Sequence, residues 1–208
     1  MQIPPFDHPL IIEGHKSLIH EISDQLDEAG IRTPDALICS VGGGGLLAGL
    51  LKGILSILPS WSDGQSELSF SVVLVERCVF AWMELMRSTV SILACETAGA
   101  ASLSQTLRST YSTSPPRIVI SQLENIDTIA ASLGSKSVSG DCMKLILDHS
   151  SGVDSDDGVG GEKGGRGSGR VVSVVMEDQR TVSAMRDYAS KFHVHVPFVL
   201  GKFSSTLF

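Results

Sequence analysis

"SVGGGGLLAGLLKG", residues 40–53, decides how the rest of the chain is read. Four consecutive glycines, Gly42, Gly43, Gly44 and Gly45, separate two apolar runs: "DALICSV" (35–41) and "LLAGLLKGILSIL" (46–58), which stops at Pro59. The first run predicts a short strand of the kind buried in a parallel sheet. The second has helical spacing. Strand, glycine turn and helix together are the layout of an α/β unit. Glycine lacks a Cβ, so a ligand can approach the backbone closely and positive φ is open without steric penalty. Successive backbone N–H groups can then converge on one anion. The helix from Leu46 adds its own unpaired N–H groups and the positive end of its dipole. A phosphate is the natural guest of such a site.

The kind of phosphate ligand is open at this point. The Walker pattern GxxxxGK[ST] is absent, and Lys52 lies roughly 10 Å along the helix axis from the loop. Gly43-x-Gly45-x-x-Ala48 matches the loose dinucleotide pattern, with Asp63 or Glu67 as the later acidic residue, although neither ends a strand. A nucleotide-binding Rossmann-like module is therefore one alternative. A tight strand-to-helix turn with no ligand is another. If the phosphate reading holds, a β-branched residue at Gly43 or Gly44 should weaken ligand binding more than folding.

Composition narrows the classes. The 208 residues suffice for one domain with a real core, 42% of them being hydrophobic and 19% charged. A net charge of -7 argues against a nucleic-acid partner, which would demand a basic face. No apolar run approaches the roughly 20 residues of a membrane span, and "MQIPPFDHP" reads as neither a signal nor a transit peptide. Cys39, Cys78, Cys95 and Cys142 form no CxxC pair and no zinc spacing. Cys39 and Cys95 fall in apolar runs and read as buried thiols, which suits a reducing, cytoplasmic setting. His193 and His195 alternate without a third ligand, so no metal site is expected.

Outward from the glycines, residues 15–29 carry Leu18, Ile19, Ile22, Leu26 and Ala29 at helical spacing, with Gly30 suited to the left-handed position beyond. "SFSVVLVE" (69–76), "SILACE" (91–96) and "PPRIVIS" (115–121) read as strands. Ser121 and Glu124 are spaced as a capping box, which predicts a helix over 121–133 ended by Gly134. "SGDCMKLILDH" (139–149) predicts a further helix. Residues 151–170 are rich in glycine, serine and charge and read as a flexible insertion. "VVSVVME" then predicts a strand, and the stretch from Asp178 a helix capped by that aspartate.

Several of these stretches resemble one family. "PPFDHPLIIEGHKSLIHEI" (4–22), with Pro5, Phe6, Asp7, Glu13, Gly14 and His15, is similar to the segment preceding the tetraglycine loop of eukaryotic L-serine/L-threonine dehydratases. "SVGGGGLLAG" matches that family's phosphate loop, and "ETAGAASL" (96–103), "LGSKSVSGDCMKL" and "VVMEDQRTVSAM" resemble later family segments. The family has the tryptophan-synthase-β-like fold of pyridoxal-phosphate enzymes. The resemblance therefore implies an α/β fold, a three-layer αβα sandwich with a mainly parallel sheet, forming part of the fold-type-II large domain.

It also implies roles. Pyridoxal 5'-phosphate is the cofactor, its phosphate held by Gly42, Gly43, Gly44, Gly45 and the Leu46 amide, with Glu96 lining the site. The substrate is a small amino acid, serine or threonine, and the reaction is loss of water and ammonia to a 2-oxo acid, an ammonia-lyase activity. A homodimer is the partner that the family's dimer surface implies.

Departures matter too. The family's Schiff-base lysine lies in a Ser-Phe-Lys motif that these 208 residues do not contain, so no catalytic residue is assigned and the chain alone is expected to be inactive. A non-catalytic remnant that associates with an intact dehydratase is a further alternative. The expected organisation is a large-domain core over 1–150 with an atypical insertion near 77–93. It continues through the insertion at 151–170 and a strand-helix unit over 171–192 to an atypical tail over 193–208.

Overall fold

His8 and Pro9 start the first helix. The His8 ring accepts a hydrogen bond at Nδ1 from the Leu10 amide (3.2 Å), and Pro9 occupies the first helical position, where its missing N–H leaves nothing unsatisfied. Helix α1 therefore runs Pro9–Ala29, earlier than the apolar spacing from residue 15 predicts. Gly30 closes it at φ 63°, its N–H returning to the Asp27 carbonyl. The computed structural model describes residues 4–34, 36–61, 90–151 and 171–192.

Strand β1 (Ala36–Ser40) leads into the glycines and then into helix α2 (Gly45–Trp61). Strand β2 spans Ser91–Thr97, and a single 3-10 turn (Ala98–Ala100) joins it to helix α3 (Ser102–Tyr111). Helix α4 is Gly140–Ser151, strand β3 Val171–Met176 and helix α5 Asp178–Phe192. The sheet order is β1-β2-β3, and both pairings are parallel, with Ala36 opposite Ser91 and Ile92 opposite Val171. All seven residues of β2 are buried, so both faces of the central strand are covered. That is why "SILACE" is a continuous run and not an alternating one.

The core lies between β1, β2 and the helices α1, α2 and α4. Ile19, Leu47, Leu51, Ile54, Ile92, Met143 and Ile146 have almost no exposure. Each such side chain contributes about 1.5–3 kcal/mol by leaving water. Gly45, Gly49 and Gly53 recur every fourth residue, so they share one face of α2. A Cβ at Gly49 would overlap the Cβ of His15, and one at Gly53 would lie 2.6 Å from the Cβ of Ile19. Those two glycines let α1 lie directly on α2. His15 is thus a packing residue at the helix crossing.

Two expected elements are absent. Residues 115–121 form no strand, and 121–133 hold only a 3-10 turn at Ala131–Leu133. The backbone here finds other partners. The amides of Arg117, Val119 and Ser121 donate to the hydroxyls of Thr113, Thr110 and Thr106, so the segment runs along α3 and borrows its side chains. The Ser121 hydroxyl meets Ser109 Oγ (2.9 Å) and so caps no helix. Leu123 and Asp127 donate to the carbonyls of Lys136 and Gly99. Asp178 likewise caps nothing: its carboxylate accepts from Thr128 Oγ1 and the Ile129 amide, both at 2.8 Å. The expected strand at 69–76, most of the 77–93 and 151–170 insertions, and the 193–208 tail lie outside the described residues.

Cys39 and Cys95 are buried as expected, and Cys142 joins them. Burial, with a smaller contribution from nearby Cys95, pushes the Cys39 thiol up to about 12, which leaves it inert as a nucleophile. Among the described residues no helix is long and apolar enough to cross a membrane, and no cluster of three or more His, Cys, Asp or Glu could hold a metal.

His149 ties the end of α4 to the start of β2. It is buried, its Nε2 lies 3.2 Å from the Val90 carbonyl, and its Nδ1 has no partner among the described residues. A proton on Nδ1 would place a charge in an apolar surround, so burial lowers the pKa from the ordinary 6.5, against a smaller upward pull from the Val90 bond. Because the folded value is the lower one, the unfolded chain takes up the proton first. The stabilising effect is complete above pH 6.5 and is lost as pH falls through that value towards the folded pKa. A His149→Gln variant keeps a donor for Val90 and should lose that slope. Melting temperatures of both proteins between pH 7.5 and 5 check it, and parallel curves would refute the assignment.

Candidate cofactor-phosphate site

The glycine loop sits at the C-terminal end of β1, under the N-terminus of α2. Ligands bind in open α/β sheets at this end of the strands. Two hydrogen bonds fix its peptide planes. The Gly43 carbonyl accepts from the Ser139 amide (2.9 Å), and the Gly44 carbonyl accepts from the Ala48 amide (2.8 Å). A trans peptide points its N–H opposite to its C=O. The Gly44 N–H is therefore turned away from Ser139, and the Gly45 N–H points out of the end of α2. The amides of Gly43, Gly44, Gly45 and Leu46 donate to no acceptor among the described residues. Four neighbouring donors at the positive end of a helix, two of them aimed by these peptide planes, suit an oxyanion.

The glycines are required by what surrounds them. Gly44 has φ +91°, and a Cβ there would lie 2.8 Å from Val138 Cγ2 and 2.9 Å from Cys142 Sγ. A Cβ on Gly43 would overlap the Phe6 ring, and one on Gly45 would lie 3.0 Å from the Phe6 carbonyl oxygen. Gly42 faces the Leu133 backbone at 3.1 Å. On the side where a Cβ would stand, each of the four glycines faces protein. A side chain at Gly43 or Gly44 meets protein first, so substitution disturbs folding before binding, the reverse of the sequence-based expectation.

Glu96, the penultimate residue of β2, stands at the loop's end of the sheet, since the Val41 amide donates to the carbonyl of neighbouring Cys95 (2.8 Å). Its carboxylate is wholly buried and accepts from the amides of Leu103 (2.7 Å) and Ser104 (2.8 Å). It thereby satisfies the N-terminus of α3, and its charge helps raise the thiol of Cys142, whose main cause is burial. Phe6 and Ser139, which shape the loop, fall in family-like segments, but their contact with the glycines is visible only in the fold.

Four lysines of the described residues have partners away from the glycines. Lys52 and Lys16 pair with Glu13 on α1, holding that carboxyl below its usual range, chiefly through the Lys52 hydrogen bond. Lys136 donates to the Glu124 carbonyl, Lys144 pairs with Asp141, and Lys191 is exposed on α5.

A parallel sheet flanked by helices, with a glycine loop feeding a helix N-terminus, places the chain among the α/β proteins. The chain belongs to the pyridoxal-phosphate dependent enzyme family, whose profile matches residues 1–196. It is 33% identical over 161 residues to human serine dehydratase-like, covering 76% of this chain and 36% of that protein. To human L-serine dehydratase/L-threonine deaminase it is 33% identical over 147 residues, 71% of this chain and 33% of that protein. The fold superposes on a fungal L-serine ammonia-lyase from Rhizomucor miehei with TM-score 0.64 and 26% identity, covering 98% of this chain and 46% of that one. The chain thus spans about a third of the length of the curated relatives and about half of the solved structure.

Proposed function

We propose that this chain forms the cofactor-phosphate half of a pyridoxal-phosphate dependent L-serine or L-threonine ammonia-lyase. The observation that carries the reading is the run of four amides from Gly43 to Leu46 with no acceptor among the described residues, those of Gly44 and Gly45 being aimed by the bonds to Ser139 and Ala48. Gly42 joins the turn that aims them, and Glu96 secures α3 at the same sheet end. When bound there, pyridoxal phosphate supplies the electron sink for β-elimination of a hydroxyl from serine or threonine. The chain's own part is to bind and orient: the loop amides take the phosphate, and the end of α2 favours its charge. Lys16, Lys52, Lys136 and Lys144 are each engaged with a carboxylate or a carbonyl, and none lies in the Ser-Phe-Lys context that marks the family's Schiff-base lysine. The chain alone, given pyridoxal phosphate and L-serine, is therefore expected to release no pyruvate, and turnover near about 1 per second would overturn this.

Binding is tested with pyridoxine 5'-phosphate, which has no aldehyde and so cannot be captured by surface lysines. The phosphate ester should bind at least about tenfold more tightly than pyridoxine, because charge-assisted hydrogen bonds are worth about 1.5–3 kcal/mol each. Leu46→Pro removes one loop amide at a helix position that tolerates proline. It should weaken binding by about tenfold or more, while Leu46→Ala, which keeps the amide, should not. Equal binding by the two variants, or displacement of the phosphate ester by NAD, would favour the nucleotide-module reading or an unliganded turn.

A further inference from the structure

We infer that Phe6 is a positioning residue for the cofactor-phosphate loop, holding the Gly43 and Gly45 backbone so that the loop amides are pre-aimed. The inference rests on the phosphate reading of the loop. Phe6 lies two residues before the cap of α1, far from the glycines in sequence, yet touches two of the four. Its half-buried ring occupies the space that a Cβ on Gly43 would take, and its carbonyl oxygen and Cα stand 3.0 and 3.1 Å from the corresponding point on Gly45.

A run of glycines has no side chains with which to anchor itself, and it loses more backbone freedom on ordering than any other sequence. What presses on it must fix it. Ser139 pins the Gly43 carbonyl from one side, and Val138 and Cys142 close the space beside Gly44. These three belong to the α4 side of the loop. Phe6 supplies the opposing wall. Without its ring the Gly43 peptide keeps one hydrogen bond but loses the surface that stops it from rotating about φ. The amides would then have to be ordered by the ligand, and that ordering is subtracted from affinity. By the same linkage, ligand binding should hold Phe6 and the start of α1 more firmly in place.

The test compares the wild-type chain with Phe6→Ala and Phe6→Tyr, using pyridoxine 5'-phosphate titrations and amide hydrogen exchange. Phe6→Ala should weaken binding by about tenfold and speed exchange at the amides of Ser139 and Ala48, whose hydrogen bonds to the Gly43 and Gly44 carbonyls report the loop in the ligand-free protein, while amides in the middle of α2 stay protected. Phe6→Tyr keeps the ring and should restore both readouts. A Phe6→Ala chain that melts lower, yet binds as tightly and exchanges at those two amides as slowly as wild type, would reduce Phe6 to a packing residue. If the wild-type chain itself does not bind the phosphate ester, the proposed function falls. Exchange at the Ser139 and Ala48 amides still decides what Phe6 does: faster exchange in Phe6→Ala supports the positioning role, and unchanged exchange overturns it.

Discussion

The Gly99→Ala chain is expected to lose about 2–4 kcal/mol of stability, a large part of the roughly 5–15 kcal/mol a domain holds. Gly99 sits in the 3-10 turn after β2, where its carbonyl accepts from the Asp127 amide at 2.9 Å. A Cβ on Gly99 would overlap the carbonyl oxygen of Asp127. The obstacle is backbone, so no side-chain rotation relieves it. Asp127 cannot retreat freely either, because the next two residues are bonded to the Asp178 carboxylate. One methyl group therefore sets the turn against a segment fastened to α5. The chain must break the Gly99–Asp127 bond or release Asp178. Urea unfolding measures the loss as a lower midpoint, and a midpoint equal to wild type would show that the 127 backbone yields without resistance.

Gly44→Val should be comparably severe, at about 2–5 kcal/mol, from two separable causes. The left-handed backbone disfavours any side chain by about 1–2 kcal/mol, and forcing atoms into packed space adds about 1–3 kcal/mol. The packing cause has a named source in Val138 and Cys142. A Cys142→Ala background enlarges that space and leaves φ unchanged. Gly44→Ala should therefore be better tolerated beside Cys142→Ala than alone, a positive coupling that a double-mutant cycle reads directly. Strict additivity would mean that conformation alone demands glycine here.

Much of the architecture was legible in local pattern. The unalternating runs at 35–41 and 91–96 and the helical spacing at 46–58 describe elements whose burial is dictated by their own side chains. The 115–133 stretch was not, because its backbone is claimed by Thr106 and Thr110 on a helix earlier in the chain and by Thr113 just beyond that helix. A capping box at Ser121 and Glu124 is a local signal, and a distant hydroxyl outcompeted it. Asp178 failed as a cap for the same reason, its oxygens being taken by residues 128 and 129. At the site, the four glycines were visible as letters, but what demands them was not. Spacing could have exposed Gly45, Gly49 and Gly53 as a seam for a close helix. Nothing in a linear reading places Phe6 over Gly43.

The order of the strands also sets a timetable for synthesis. β2 is the middle strand, and its second ladder aligns Ile92 with Val171, a residue that leaves the ribosome long after it. Among the described residues, β1 and β2 precede β3, so two of the three strands can pair before the third is made. During that interval β2 presents an apolar strand with one open edge, and such edges template pairing with other chains. Parallel pairing cannot be hurried by a short hairpin, because a crossover must be built before the ladder can close. Nascent copies of this chain thus share a common exposed edge until the β3 codons are read, and neighbours on one polysome are the nearest strands to fill it.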